Sequence, residues 1–134
     1  MSVNLVRGAA TTGITSSFDV SKVIAVDMDM FPPSQSFRGY ISLIVVQVSN
    51  LSTDSKPTTI TMRICRDQTG DEMIVTDTTS NLFYGLTDST DGSAIFALNA
   101  YSGLIENDDL YCFVKTNQGS CDLDYFEIVW QGER

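Results

Sequence analysis

At 134 residues the chain has the size of one domain and buries roughly two-thirds of its unfolded surface around a single core. Seventeen acidic against eight basic side chains, a net charge of −9 and no histidine set it against nucleic-acid phosphates and anionic membranes and suit it to cations or a basic partner. The missing histidine also removes the usual general base for a serine or cysteine nucleophile.

Met1 to Gly8 contains no apolar run of signal-peptide length. Residues 1–17 mix short apolar pairs with Gly8, Gly13 and a Thr/Ser cluster. They read as an N-terminal arm with room for one edge strand, of the kind that orders against a neighbouring subunit, with plain terminal disorder an equal reading. Residues 18–134 read as the folded domain. Ile24, Val26, Met28 and Met30 alternate with Ala25, Asp27 and Asp29, a half-buried strand with the two acids about 7 Å apart on its wet face. That spacing suits a cation, although a solvated strand face is the simpler reading. Pro32 and Pro33 end the ladder, since neither donates a hydrogen bond.

Gly39 to Asn50 is the organising stretch. Leu43, Ile44, Val45 and Val46 are consecutive and apolar, which predicts a central strand buried on both faces. Thr58 to Arg66 then alternates with Ile60, Met62 and Ile64 inward and Thr59, Thr61, Arg63 and Cys65 outward. Asp67 to Asp71 predicts a hairpin connection with Gly70 at positive φ, returning through Met73 to Thr79. Leu82 to Tyr84 is a short apolar segment before the acidic loop Asp88 to Gly92. Ser93 to Ala100 is a strand, and Tyr101 to Asp109 reads as a corner that tucks Leu104 and Ile105 onto the core. Leu110 to Thr116 and Leu123 to Gln131 predict a closing hairpin across Asn117, Gln118 and Gly119. Its register sets Cys121 opposite Lys115, Cys112 opposite Asp124 and Tyr111 against Tyr125. About eight strands with regularly spaced turn signals predict an all-β, two-sheet antiparallel sandwich. The strand count and the long corner favour a jelly roll over an immunoglobulin-like topology.

Few constellations carry chemistry. Cys65, Cys112 and Cys121 make an odd count without Cys-x-x-Cys, so free thiols are expected, with a Cys112–Cys121 bridge the lesser reading because the hairpin offsets the pair. Ile74 to Ser80 is similar to the apolar strand ending in Asp-Thr-Gly of aspartic proteases. Thr79 stands where that family has glycine, so Asp77 reads as a strand-end Asx turn. Asp88 and Asp91 with the backbone near Gly92, and Glu106, Asn107, Asp108 and Asp109 in the next corner, offer hard oxygens of the type calcium takes. Neither run has full calcium-loop spacing, and solvated turns are the competing reading; no other cofactor is expected. Tyr40, Tyr84, Tyr101, Tyr111, Tyr125 and Trp130 are the rings available to a sugar platform.

The run from Leu110 through Thr116 into Asp122 to Trp130, in a compact acidic chain with a Ser/Thr-rich arm, resembles the small β-sandwich proteins of bacteriophage virions. The resemblance implies a non-enzymatic capsid decoration (cement) protein or a small tail or fibre component. Such a protein is part of the virion, a homo-oligomer, often a trimer, and it binds capsid or other virion proteins and neither nucleic acid nor membrane. Val3, Leu5, Val6 and Arg7 are then the expected interaction residues of the arm. The alternative expectation is a carbohydrate-binding or host-recognition module that uses exposed rings.

Overall fold

Period-two alternation along nearly the whole chain produces strands joined by turns. The computed structural model describes residues 2–8, 10–26, 36–84, 89–106 and 110–133, with side chains for residues 8, 10–26, 41–84, 89–98 and 110–129. Ten strands lie among the described residues: β1 (Ser2–Gly8), β2 (Thr11–Ile14), β3 (Ile24–Val26), β4 (Ser36–Ser49), β5 (Thr59–Cys65), β6 (Met73–Asn81), β7 (Phe83–Tyr84), β8 (Gly92–Glu106), β9 (Leu110–Thr116) and β10 (Cys121–Glu133). A single 3-10 turn, Val20–Lys22, follows β2 and is capped by Asp19.

The strands form two antiparallel layers, β6-β5-β9-β3 and β1-β10-β4-β8-β7, with β2 continuing the line of β1 along β10. One bridge, Gly8 to Val26, links the layers through β1 and β3. The pairings are nested: β1 and β2 with β10, β3 with β9, β4 with β8, and β5 with β6. First pairs with last and second with second-last, which is the jelly-roll topology of a β-sandwich, as the strand pattern predicts. Between the layers Ile60, Met62 and Ile64 of β5 and Cys112 and Val114 of β9 oppose Ile44, Val46 and Val48 of β4, Phe96 of β8 and Phe126 and Ile128 of β10. Burying such side chains stabilises by about 1.5–3 kcal/mol each.

Nested connectivity overturns the closing hairpin. Consecutive strands β9 and β10 fall in opposite sheets, so β9 takes β5 and β3 as neighbours, and β10 takes β4 and the N-terminal strands. Tyr111 therefore faces Cys65 and Ala25, and Tyr125 faces Gln47. Cys112 and Cys121 stand in different layers, and all three thiols are free and buried. Residues 101–106 are also strand, not corner: Gly39 pairs with Gly103 and Tyr40 with Tyr101, leaving Ser102 as a bulge. A Gly/Ser pair that reads as a turn is here an irregularity within a ladder.

Three further expectations change. Strand β4 is central, but only its inner face is fully buried, and Leu43 and Val45 on the other face are half-buried. Ser42 is the extra residue against β10, which lets Ile41 and Ile44 both point inward at a spacing of three. Cys65, expected outward, is fully buried yet lies outside the core cluster between the layers, and it keeps the alternation of Thr61 and Arg63 along β9. The stretch expected as an arm supplies β1 and β2, and Ile14 is 1% exposed. Met28, Met30, Asp27, Asp29, Pro32 and Pro33 lie outside the described residues.

One end of the sandwich is tied by side chains. Asn117 Oδ1 accepts from the Thr58 and Thr59 amides, the Gln118 amide donates to the Lys56 carbonyl, and Ser52 and Ser120 exchange hydrogen bonds. Gly119, at φ +64°, passes so close that an added Cβ would lie 2.2 Å from the Ser55 carbonyl oxygen.

Candidate functional site

The outer face of the five-stranded sheet follows from the register of its central strands. Val45 lies between Ile95 of β8 and Glu127 of β10, and Leu43 between Ala97 and Val129. The Leu43 row is thus apolar over three strands, and the Val45 row over two, ending in Glu127 on β10, with Ile95 53% exposed. The chain spends apolar residues on a wet face here, since the core already takes Ile44 and Val46 from the opposite side of β4. An apolar strip of this kind marks an interaction surface more often than a lone exposed side chain does. The acids Glu127 and Asp124 border it on β10. Arg63 and Lys115 lie on the other sheet, where both stack on Phe18 at 4.6 and 4.7 Å from the ring centre.

A cleft of about 350 Å³ opens at the tied end of the same sheet, lined by Gln47, Val48, Phe83, Ser89, Asp91, Gly92, Ser93 and Asp124. Period two builds it. Leu82 is buried, and Tyr84 is held inward by its hydroxyl, which donates to the Pro57 carbonyl, and by Lys56 over its ring at 4.2 Å. Phe83 between them must point out, and at 62% it is the most exposed of the large apolar side chains described. It pairs with Ser93, which pairs with Gln47, so ring, hydroxyl and amide form one row across β7, β8 and β4. Asp124 is the extra residue of the β10 bulge opposite Gln47 and accepts from the Ser49 hydroxyl at 2.9 Å. The loop before β8 is fixed by Leu51 donating to the Thr90 carbonyl and by Lys56 Nζ donating to the Ser89 carbonyl at 2.6 Å.

Of the two acidic runs, each a separate calcium candidate, Asp91 lies beside the start of β8 and Glu106 is its last residue. Asp88, Asn107, Asp108 and Asp109 lie outside the described residues, and among those described no group of three acids or thiols is placed to hold a metal. Val3, Leu5, Val6 and Arg7 pair through their backbones with Gln131, Val129, Ile128 and Glu127.

Asp77 is not at a strand end. It sits within β6 and takes a two-pronged contact from Arg63 at 2.6 and 3.0 Å. That guanidinium holds its carboxyl below the usual range, which fixes it as a charged partner. The thiols are poor nucleophiles: burial pushes Cys121 up to about 12 and Cys112 well above its ordinary value.

Among the expected sugar-stacking rings, Tyr84 is locked as described, Tyr111 accepts from the Gln68 amide, and Tyr125 bonds Glu127. The side chains of Tyr40, Tyr101 and Trp130 lie outside the described residues. The cleft residues Phe83, Gln47, Ser93 and Asp124 carry no sequence signal of their own. Only the apolar residues on both faces of β4 hinted at the strip, and sequence reasoning assigned them to burial. Comparison with protein-family models, with curated proteins and with solved structures finds no match to this chain.

Proposed function

We propose that this chain is a non-enzymatic virion protein of the capsid-decoration type, which binds neighbouring capsid subunits through the outer face of its five-stranded sheet and stabilises them. The observation that carries this reading is the apolar strip of Leu43, Val45, Ile95, Ala97 and Val129 on a wet sheet face. The jelly roll supports it as an architecture common among capsid domains, a likeness of fold that by itself assigns no function. Glu127 and Asp124 beside the strip, on a chain of net charge −9, favour a partner with a basic rim and disfavour pairing of two like-charged copies through this face. A decorating protein needs distributed contact more than a special residue, because weak contacts at many symmetric positions add through avidity.

Cosedimentation of the purified protein with stripped capsids tests the proposal. Wild type is expected to pellet with particles, and Ile95→Lys and Leu43→Lys to stay in the supernatant while keeping the wild-type melting temperature. Equal pelleting of both variants, or turnover of a substrate by the protein, overturns it.

A further inference from the structure

The cleft at the tied end differs in character from the apolar strip beside it. Its floor is a row of one aromatic face, one hydroxyl and one primary amide, from Phe83, Ser93 and Gln47. Its wall adds the carboxylates of Asp91 and Asp124. Among the described residues the Asp91 carboxylate has no hydrogen-bond or ion-pair partner, although its own backbone is fixed through Ser89.

Three properties narrow the ligand. Two carboxylates repel phosphates, sulfates and acidic sugars. The Lys56 ammonium, which donates to the carbonyl of the lining residue Ser89 at 2.6 Å and lies over the Tyr84 ring, offsets one of the two negative charges and weakens the pull on a cationic guest. What remains is a neutral molecule with an apolar face for the ring and hydroxyls for the carboxylates, amide and serine. The volume, about 350 Å³, is at the small end of the range of roughly 300–1,000 Å³ typical of small-molecule sites.

We infer that this cleft binds a neutral pyranose sugar, stacked on Phe83 and hydrogen-bonded by Gln47, Ser93, Asp91 and Asp124. In the bound geometry the carboxylates accept from sugar hydroxyls, the Gln47 amide donates to a sugar oxygen, and the C–H face of the ring covers Phe83. Covering that ring removes exposed apolar surface from water. The site is open and shallow, so affinity is millimolar for a single sugar and rises when several copies are displayed together.

The test is an amide-resolved NMR titration of the full chain with glucose, galactose, mannose, N-acetylglucosamine and lactose, with sialic acid and arginine methyl ester as charged controls. At least one neutral sugar is expected to bind saturably, with shifts centred on Gln47, Phe83, Ser93 and Asp124. Phe83→Ala is expected to weaken that binding about tenfold, with Gln47→Ala and Asp124→Asn as second and third variants. All three positions are exposed, and unchanged melting temperatures check that the variants fold. Absence of binding across the neutral panel overturns the inference. So does sugar binding that survives all three substitutions, or saturable binding of arginine methyl ester without the sugars. Leu43→Lys lies two residue pairs away on β4 and is expected to leave sugar binding intact, so this inference and the capsid-binding proposal fail separately.

Discussion

At the scale of single residues, the most constrained position is Gly119. A side chain there meets both a left-handed backbone and the Ser55 carbonyl, so Gly119→Ala is expected to cost about 2–4 kcal/mol, read as a lowered urea midpoint. Asp67 sets an acid limit. Its carboxylate accepts from the Thr69 hydroxyl and from the amides of Glu72 and Asp71, which lowers it from 3.8 to about 2. The unfolded chain then binds the proton more readily than the folded one, so this contribution is complete above 3.8 and is lost as pH falls through 2. Asp77, lowered by Arg63, and Asp122, lowered by Asn50, act in the same direction. Melting temperature is expected to drop across that window, and Asp67→Asn to lower it at neutral pH while flattening the acid dependence. Gly70 takes the positive φ, +86°, that the turn chemistry of Asp67 to Asp71 predicts. That hairpin was legible because its determinants are local.

At the scale of elements, the N-terminal strands decide how the chain must be tested. β1 and β2 cover β10 from Phe126 to Gly132 and from Cys121 to Leu123, and Gly13 donates to Asp122 at 3.0 Å. Gly8 sits where a Cβ would lie 2.5 Å from Ile24 Cγ2, the close approach that lets β1 reach β3. Removing residues 2–14 is therefore expected to unpair β10 and uncover the core position of Ile14, giving a chain that binds a hydrophobic dye and loses near-UV circular dichroism. A truncated protein with a native spectrum would return the segment to the role of a detachable arm. The sequence hid this role because Gly8, Ala9, Ala10 and Gly13 break the alternation on which strand recognition depends. The closing hairpin failed for a related reason. Asn117 to Gly119 has the composition of a tight turn, but its side chains tie down the loop after β4 instead of joining two neighbours.

At the scale of the whole molecule, net charge and the apolar strip act together. If the proposed capsid partner exists and offers a basic rim, cosedimentation is expected to weaken as salt rises and the Debye length falls from about 10 Å at 0.1 M to about 3 Å at 1 M. Binding that is indifferent to salt would leave the apolar strip to explain it alone. Among the described residues no group of three acids or thiols is placed to hold a metal, so EDTA is expected to leave melting temperature and light-scattering mass unchanged. A fall in either would point to calcium.

Composition and alternation were enough to determine an all-β sandwich with β4 at its centre, because apolar periodicity reports which residues must leave water whatever their partners. The strand count also pointed to the jelly roll, although the corner invoked for it is a bulged strand. Partner choice was decided only in three dimensions. Which strand lies beside β9 or β10 depends on nested long-range pairing, and a one-residue bulge such as Ser42 or Asp124 redirects the side chains that follow. The cleft belongs wholly to that second category: Phe83, Ser93, Gln47 and Asp124 come from four strands, and only the register of the sheet brings them together.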